Sequence, residues 1–178
     1  RTSVLDGFTI RGGYQHLSES GGGILCESSP TISNCVISGN RVYTYYSYAE
    51  RRGGGIYATG SPVIIDCRII NNSVESEIAK GGGLYLSGNS VVERCLISGN
   101  TAYGFRGDRS VGHPAYGGGI YCSPSDLISH CIITDNQAIG SERIWGSGNS
   151  RPGFGGGIYG SPTIINCLIA NNRAQSPE

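Results

Sequence analysis

Four residues could do proton chemistry if the fold made them neighbours: Asp66, Glu93, Arg94 and His130. Asp66, Arg94 and His130 each stand directly before a cysteine, and Glu93 stands before Arg94. Acid, base and cation in one small patch would suit proton abstraction from a uronic acid. A polar outer strand edge explains the same residues without any chemistry. A second set suits binding. Tyr43, Tyr45, Tyr46, Tyr48 and Arg52 crowd one short segment. Tyr103, Phe105, Arg106, Asp108, Arg109 and Tyr116 fill another, and Arg143 and the single Trp145 a third. Tyr, Trp and Arg make binding hot spots, and aromatic platforms flanked by charge suit sugar rings. The same aromatics could instead pack loops onto the body of the protein. Arg106-Gly107-Asp108 spells an integrin-type tripeptide, and Asn71-Asn72-Ser73 a glycosylation sequon; both motifs are short and carry little weight.

The elements that must hold these residues are repeats. Gly-Gly-Gly-aliphatic occurs five times, from Gly21, Gly53, Gly81, Gly117 and Gly155. Each is followed by a polar turn, an aliphatic run ending in Cys, two more aliphatic positions and Asn. The Cys-to-Asn spacing is fixed in all five copies: Cys35/Asn40, Cys67/Asn72, Cys95/Asn100, Cys131/Asn136 and Cys167/Asn172. A partial copy runs from Val4 to Gly13. Apolar positions alternate, as in half-buried strands, and no helical period is present. In the second copy Ile56, Ala58, Ile64, Cys67, Ile69 and Val74 should point inward, and Tyr57, Ile65, Arg68 and Ile70 outward. Three short strands per coil, stacked in parallel at about 4.8 Å, give an all-β parallel β-helix. The expectation is one domain over residues 1–178, of five to six coils beginning near 4, 21, 53, 81, 117 and 155. One coil cannot bury its own apolar face, so the stack is the folding unit. Interior columns should form from Ile24, Ile56, Leu84, Ile120 and Ile158, and from Ile37, Ile69, Ile97, Ile133 and Ile169. The Asn column should bond backbone at a corner, each amide reaching the next coil.

Between copies lie insertions of unequal length: Tyr43–Arg52, Glu75–Lys80, Tyr103–Tyr116 and Ile139–Phe154. All leave one corner, so they should stack into one flank that carries any ligand contacts. Tyr57, Tyr85, Tyr121 and Tyr159 should form an outward stripe, most simply a cross-strand ladder.

Composition limits the function classes. Thirteen Lys and Arg balance thirteen Asp and Glu, so no field draws nucleic acid. No apolar run is long enough to span a membrane as a helix. The seven cysteines lack zinc spacing, and neither a metal nor another cofactor is expected. The five column cysteines should be reduced, buried thiols. Cys26 and Cys122 share a second column, too far apart to bond. His16, His113 and His130 are isolated in sequence, as surface residues would be. There is no Met and the chain opens on Arg1, which suggests a piece of something longer.

The motifs GGGIYxxxSPTIxNCxIxxN and VLDGFTIRGG resemble the right-handed parallel β-helix repeat proteins of bacterial cell surfaces. They are also similar to polymorphic outer-membrane adhesin repeats. The resemblance runs from about Val4 to Ala174. It implies right-handedness and an extracellular or cell-surface location. It leaves function open, because the scaffold carries lyases, hydrolases, adhesins and structural proteins. A lyase-like cluster of Asp with Lys or Arg is missing: five Asp are scattered and Lys80 is the sole lysine. The leading expectation is a non-catalytic module for adhesion, carbohydrate or partner binding, or surface assembly. The alternative is a polysaccharide lyase or glycoside hydrolase. Relatives usually cover the first coil and anchor the last. Neither device is visible here, so end-to-end self-association is a further expectation.

Overall fold

The computed structural model describes residues 3–16, 20–44, 50–104, 112–141 and 150–176. Strand alternation sends the middle side chain of the strands at Val63–Ile65 and Arg68–Ile70 inward, and the two outer ones of Ile56–Ala58. Ile56, Ala58, Ile64, Ile69 and Val74 are fully buried, while Arg68 is exposed. Stacking these strands in register builds five parallel sheets.

Sheet A holds Val4–Asp6, Thr31–Ser33, Val63–Ile65, Val91–Glu93, Leu127–Ser129 and Thr163–Ile165. Sheet B holds Thr9–Arg11, Val36–Ser38, Arg68–Ile70, Leu96–Ser98, Ile132–Thr134 and Leu168–Ala170. Sheet C holds Tyr14–His16, Arg41–Tyr43, Ser73–Ser76, Thr101–Gly104, Gln137–Ile139 and Arg173–Gln175. Sheet D holds Glu50–Arg52, Ile78–Lys80, Ala115–Tyr116 and Gly153–Phe154. Sheet E holds Ile24–Cys26, Ile56–Ala58, Leu84–Leu86, Ile120–Tyr121 and Ile158–Tyr159. The chain visits E, A, B, C and D in turn. Four coils carry all five strands, and a partial coil lies at each end. Sheets E, A and B are the three strands expected for each coil. Sheet C runs into the start of each insertion and holds Val74, already expected to point inward; sheet D arises where the sequence suggested loop, because each insertion finishes as a paired strand.

The molecule has two cores. The larger one, inside sheets A, B and E, contains the isoleucine columns and the cysteines. The smaller is a seam of Val42, Val74, Ala79, Ala102, Ala115 and Ala138 between sheets C and D. Sheets C and D thus form a thin wing, closed by residues small enough to let two sheets approach.

A buried asparagine ladder lies at the neck. The Nδ2 of Asn40, Asn72, Asn100 and Asn136 donates to Oδ1 of the asparagine one coil on, at 2.9–3.0 Å. The same Nδ2 groups donate to the carbonyls of Ile10, Ile37, Ile69 and Ile97. The triple glycine fits against this ladder. Gly53 has φ 62°, and a Cβ on Gly54 would lie 2.3 Å from the Gly82 carbonyl oxygen. On Gly55 it would lie 3.0 Å from Asn72 Nδ2. Glycine and asparagine recur together because one leaves the room the other occupies.

All seven cysteines are free thiols. Six are buried; Cys167, in the last described coil, is only partly so. His113 departs from the surface expectation. Its side chain is 13% exposed and its Nε2 lies 3.8 Å from Oε1 of the buried Glu77. No helix among the described residues is long and apolar enough to cross a membrane.

Candidate functional site

The wing meets the body at the triple glycines, and a groove follows that corner along the stack. Its body wall is the outer face of sheet E, where strand register stacks Tyr57, Tyr85, Tyr121 and Tyr159. Successive ring centroids are 5.2, 5.0 and 5.4 Å apart. Its wing wall is the outer face of sheet D, where register aligns Arg52, Lys80, Tyr116 and Phe154.

The walls touch by a repeating diagonal. Arg52, Lys80 and Tyr116 each reach the second tyrosine of the stripe that follows them. Arg52 lies over Tyr85 at 5.1 Å and Lys80 over Tyr121 at 5.2 Å. Tyr116 meets Tyr159 at 4.8 Å with planes tilted by 57°. Cation–π contacts therefore seal the first half of the groove, and Tyr85 is 8% exposed beneath them. The second half stays open. A space of about 230 Å³ lies between Glu50, Ile78, Lys80, Tyr116, Tyr121 and Tyr159. A larger one of about 590 Å³, lined by Tyr121, Phe154 and Tyr159 among others, shares two of its tyrosines.

Glu50 sits at the head of the open half and pairs with both Arg52 and Lys80. Burial works to raise its carboxyl, but bonds from Lys80 and Arg52 outweigh that and hold it below the ordinary carboxylate value. Both its oxygens are engaged, so Glu50 is not a free base. Lys80 keeps N–H donors beyond the one given to Glu50, at 2.9 Å. Inner tyrosine faces cover one another, so these rings offer edges and hydroxyls. Free ring surface is found at Phe154 and Tyr159, 40% and 36% exposed. The open groove can accept a hydroxyl-rich or partly apolar ligand, with Lys80 as a hydrogen-bond donor at its head.

Of the expected binding residues, Arg52 and Tyr116 line this groove. Tyr43 and Tyr103 do not; they lie on the outer face of sheet C, across the wing seam from sheet D. There Tyr43 stacks on His16 at 6.0 Å, with Arg41 4.7 Å over its ring. Among the described residues the insertions present two faces of a wing. Tyr45, Tyr46, Tyr48, Phe105, Arg106, Asp108, Arg109, Arg143 and Trp145 lie outside the described residues, as does the Arg106-Gly107-Asp108 tripeptide. Glu50 and Lys80 were not singled out from the sequence. The signal for Lys80 was position, directly before a triple glycine at the same place as Arg52, Tyr116 and Phe154; Glu50 stands two residues before Arg52.

Asp66, Glu93, Arg94 and His130 fall along the turns from sheet A to sheet B. Asn34, Asp66, Arg94, His130 and Asn166 all occupy the left-handed region there, with φ of 50–54°. Arg94 forks onto Asp66 with two bonds of 2.9 Å and also touches Glu93. That bonding holds the exposed Asp66 carboxyl below its usual value, which makes it a weak base. His130 meets Asn166 Nδ2 at 3.3 Å and lies outside the ion pairs. Asp66, Glu93 and Arg94 form an ion-pair cluster and the histidine stands apart. Among the described residues no cluster of three His, Cys, Asp or Glu could hold a metal ion.

A family model described as a right-handed β-helix region matches residues 3–174. No curated protein and no solved structure matches the chain significantly. Parallel register in all five sheets and a match over nearly the whole length lead to one assignment: the chain belongs to the right-handed β-helix family.

Proposed function

We propose that the chain is a non-catalytic binding module that holds a carbohydrate chain in the groove between sheets D and E. The observation that carries this reading is the open half of the groove. Tyr116 and Tyr159 touch, and beside that contact free space opens against Tyr121 and Phe154, with Lys80 as donor at its head. Aromatic walls with a few placed polar groups are what carbohydrate and ligand sites are built from. Linear sites on a stacked scaffold suit adhesion to a polymer surface. The same reading puts the module outside the cell, on a bacterial surface, as the resemblance of its repeats implies.

Affinity electrophoresis against a panel of neutral and acidic polysaccharides tests it, with Tyr116→Ala and Lys80→Met beside the parent. At least one polysaccharide should retard the parent, and each variant should bind it about tenfold more weakly. No retardation by any polymer, or equal retardation of the variants, would overturn the reading. Chain cleavage lost on Asp66→Asn or Glu93→Gln would favour the lyase or hydrolase alternative.

A further inference from the structure

Cys35, Cys67, Cys95, Cys131 and Cys167 form one column in the larger core, each directly before a strand of sheet B. Their sulfurs share one set of contacts. Each S–H donates to the carbonyl two residues before it, of Ser33, Ile65, Glu93, Ser129 and Ile165, at 3.0–3.3 Å. Each also lies 3.5–3.7 Å from a carbonyl of the preceding coil. The main-chain N–H of Cys67, Cys95 and Cys131 donates to the next Sγ at 3.4 Å. Identical contacts mean one rotamer repeated in register. Successive sulfurs are therefore one strand spacing apart, about 4.8 Å.

That spacing has a chemical meaning. A d10 ion bonds thiolate sulfur at about 2.3 Å, so a straight sulfur–metal–sulfur bridge spans about 4.6 Å. Zinc would ask for four ligands, and no group of three His, Cys, Asp or Glu among the described residues could hold a metal. Thiolate selects Cu(I), and a monovalent d10 ion is satisfied by two sulfurs. Charge agrees with this choice. One thiolate and one thiol around a monovalent ion sum to zero, which suits a dry core. The hydrogen bond with the Cys95 thiol holds Cys67 down, to about 7, and lowers Cys131 as well. A thiolate beside a thiol is thus within reach near neutral pH. The expectation of no metal rested on zinc spacing, which a two-ligand ion does not need.

We propose that the cysteine column takes up Cu(I), each ion bridging two successive sulfurs. On binding, one thiol of the pair releases its proton to solvent. Lone pairs of the two sulfurs form the two S–Cu bonds, and copper keeps its oxidation state. A sulfur already bonded on one side does not hold a second ion in line on the other, so adjacent gaps exclude each other. Five sulfurs enclose four gaps, of which at most two share no sulfur. The site is independent of the groove and its ligand.

Anaerobic titration of the reduced chain with Cu(I), against a chromophoric Cu(I) chelator, reads the stoichiometry. Two ions per chain are expected, and X-ray absorption should show each copper with two sulfur neighbours. Parity makes the test specific. Cys67→Ser or Cys131→Ser leaves only gaps that share a sulfur, and each should halve the uptake. Cys35→Ser, Cys95→Ser or Cys167→Ser leaves two independent gaps, and each should keep both ions. Cys67→Ser with Cys131→Ser leaves no gap and should abolish uptake, although five of the seven thiols remain. Circular dichroism checks that each variant is folded. Where Cys67→Ser or Cys131→Ser fails to fold, the parent and Cys95→Ser still decide: three sulfurs per copper, or an ion lost from Cys95→Ser, overturns the proposal. So does no uptake by the folded parent, or an equal loss from all five single variants.

Discussion

At the scale of the residue, neighbours decide what a titratable group can do. Glu50 has the composition of a base and the environment of a clamp, bonded to two cations. Its folded pKa is lowered, so its contribution to stability is present above the unfolded value of about 4.3. It is lost as pH falls through the lower folded value. Thermal melts between pH 6 and pH 3 should show acid destabilisation that is shallower in Glu50→Gln; identical slopes would refute the clamp. Two of the thiols, Cys122 and Cys35, behave in the opposite sense. Burial pushes Cys122 up to about 12 and raises Cys35 as well, so neither is a ready nucleophile at neutral pH. Thiol-specific reagents should label native protein slowly, Cys167 first, and all seven cysteines after denaturation. Two or more disulfides in the intact mass would contradict this.

At the scale of the element, the neck between the two cores sets the repeat. Asn100 receives N–H groups from Asn72 and gives its own to Ile69 and Asn136, all while fully buried. Asn100→Ala strands several buried partners and should cost about 3 kcal/mol or more. Gly54→Ala sets a methyl against the Gly82 and Ser73 carbonyl oxygens, 2.3 and 2.4 Å away. Neither oxygen can yield without breaking a sheet, so a loss of similar size is expected. Chemical denaturation measures both. A change below about 1 kcal/mol in either would mean the neck relaxes and the ladder is not what fixes the coil spacing.

At the scale of the molecule, each coil contacts only its neighbours, so stability should grade along the stack. Strands Arg68–Ile70 and Leu96–Ser98 are covered on both sides, whereas Leu168–Ala170 has one partner. Native-state hydrogen exchange should be slowest at Ile69 and Ile97 and fastest at Leu168–Ala170. Uniform exchange across all coils would indicate a single cooperative unit instead. The same gradient bears on binding, because the open half of the groove lies toward the less covered end.

The sequence by itself determined the coil. A two-residue period, a fixed Cys-to-Asn interval and five triple glycines leave one way to bury Ile64, Ile69 and Cys67 together, and the columns formed as expected. That information is local and repeated, so periodicity exposes it. Tertiary structure alone decided what the insertions do. Their small inward residues, such as Ala79 and Ala115, are too few per segment to announce a strand, yet stacking packs them with Val42 and Val74 into a second core. That core turns Tyr43 and Arg52 to opposite faces of the wing. It also brings Lys80 and Tyr116 against tyrosines of later coils, a diagonal set by sheet register rather than by distance along the chain. A groove is a relation between two walls, and only the fold places both.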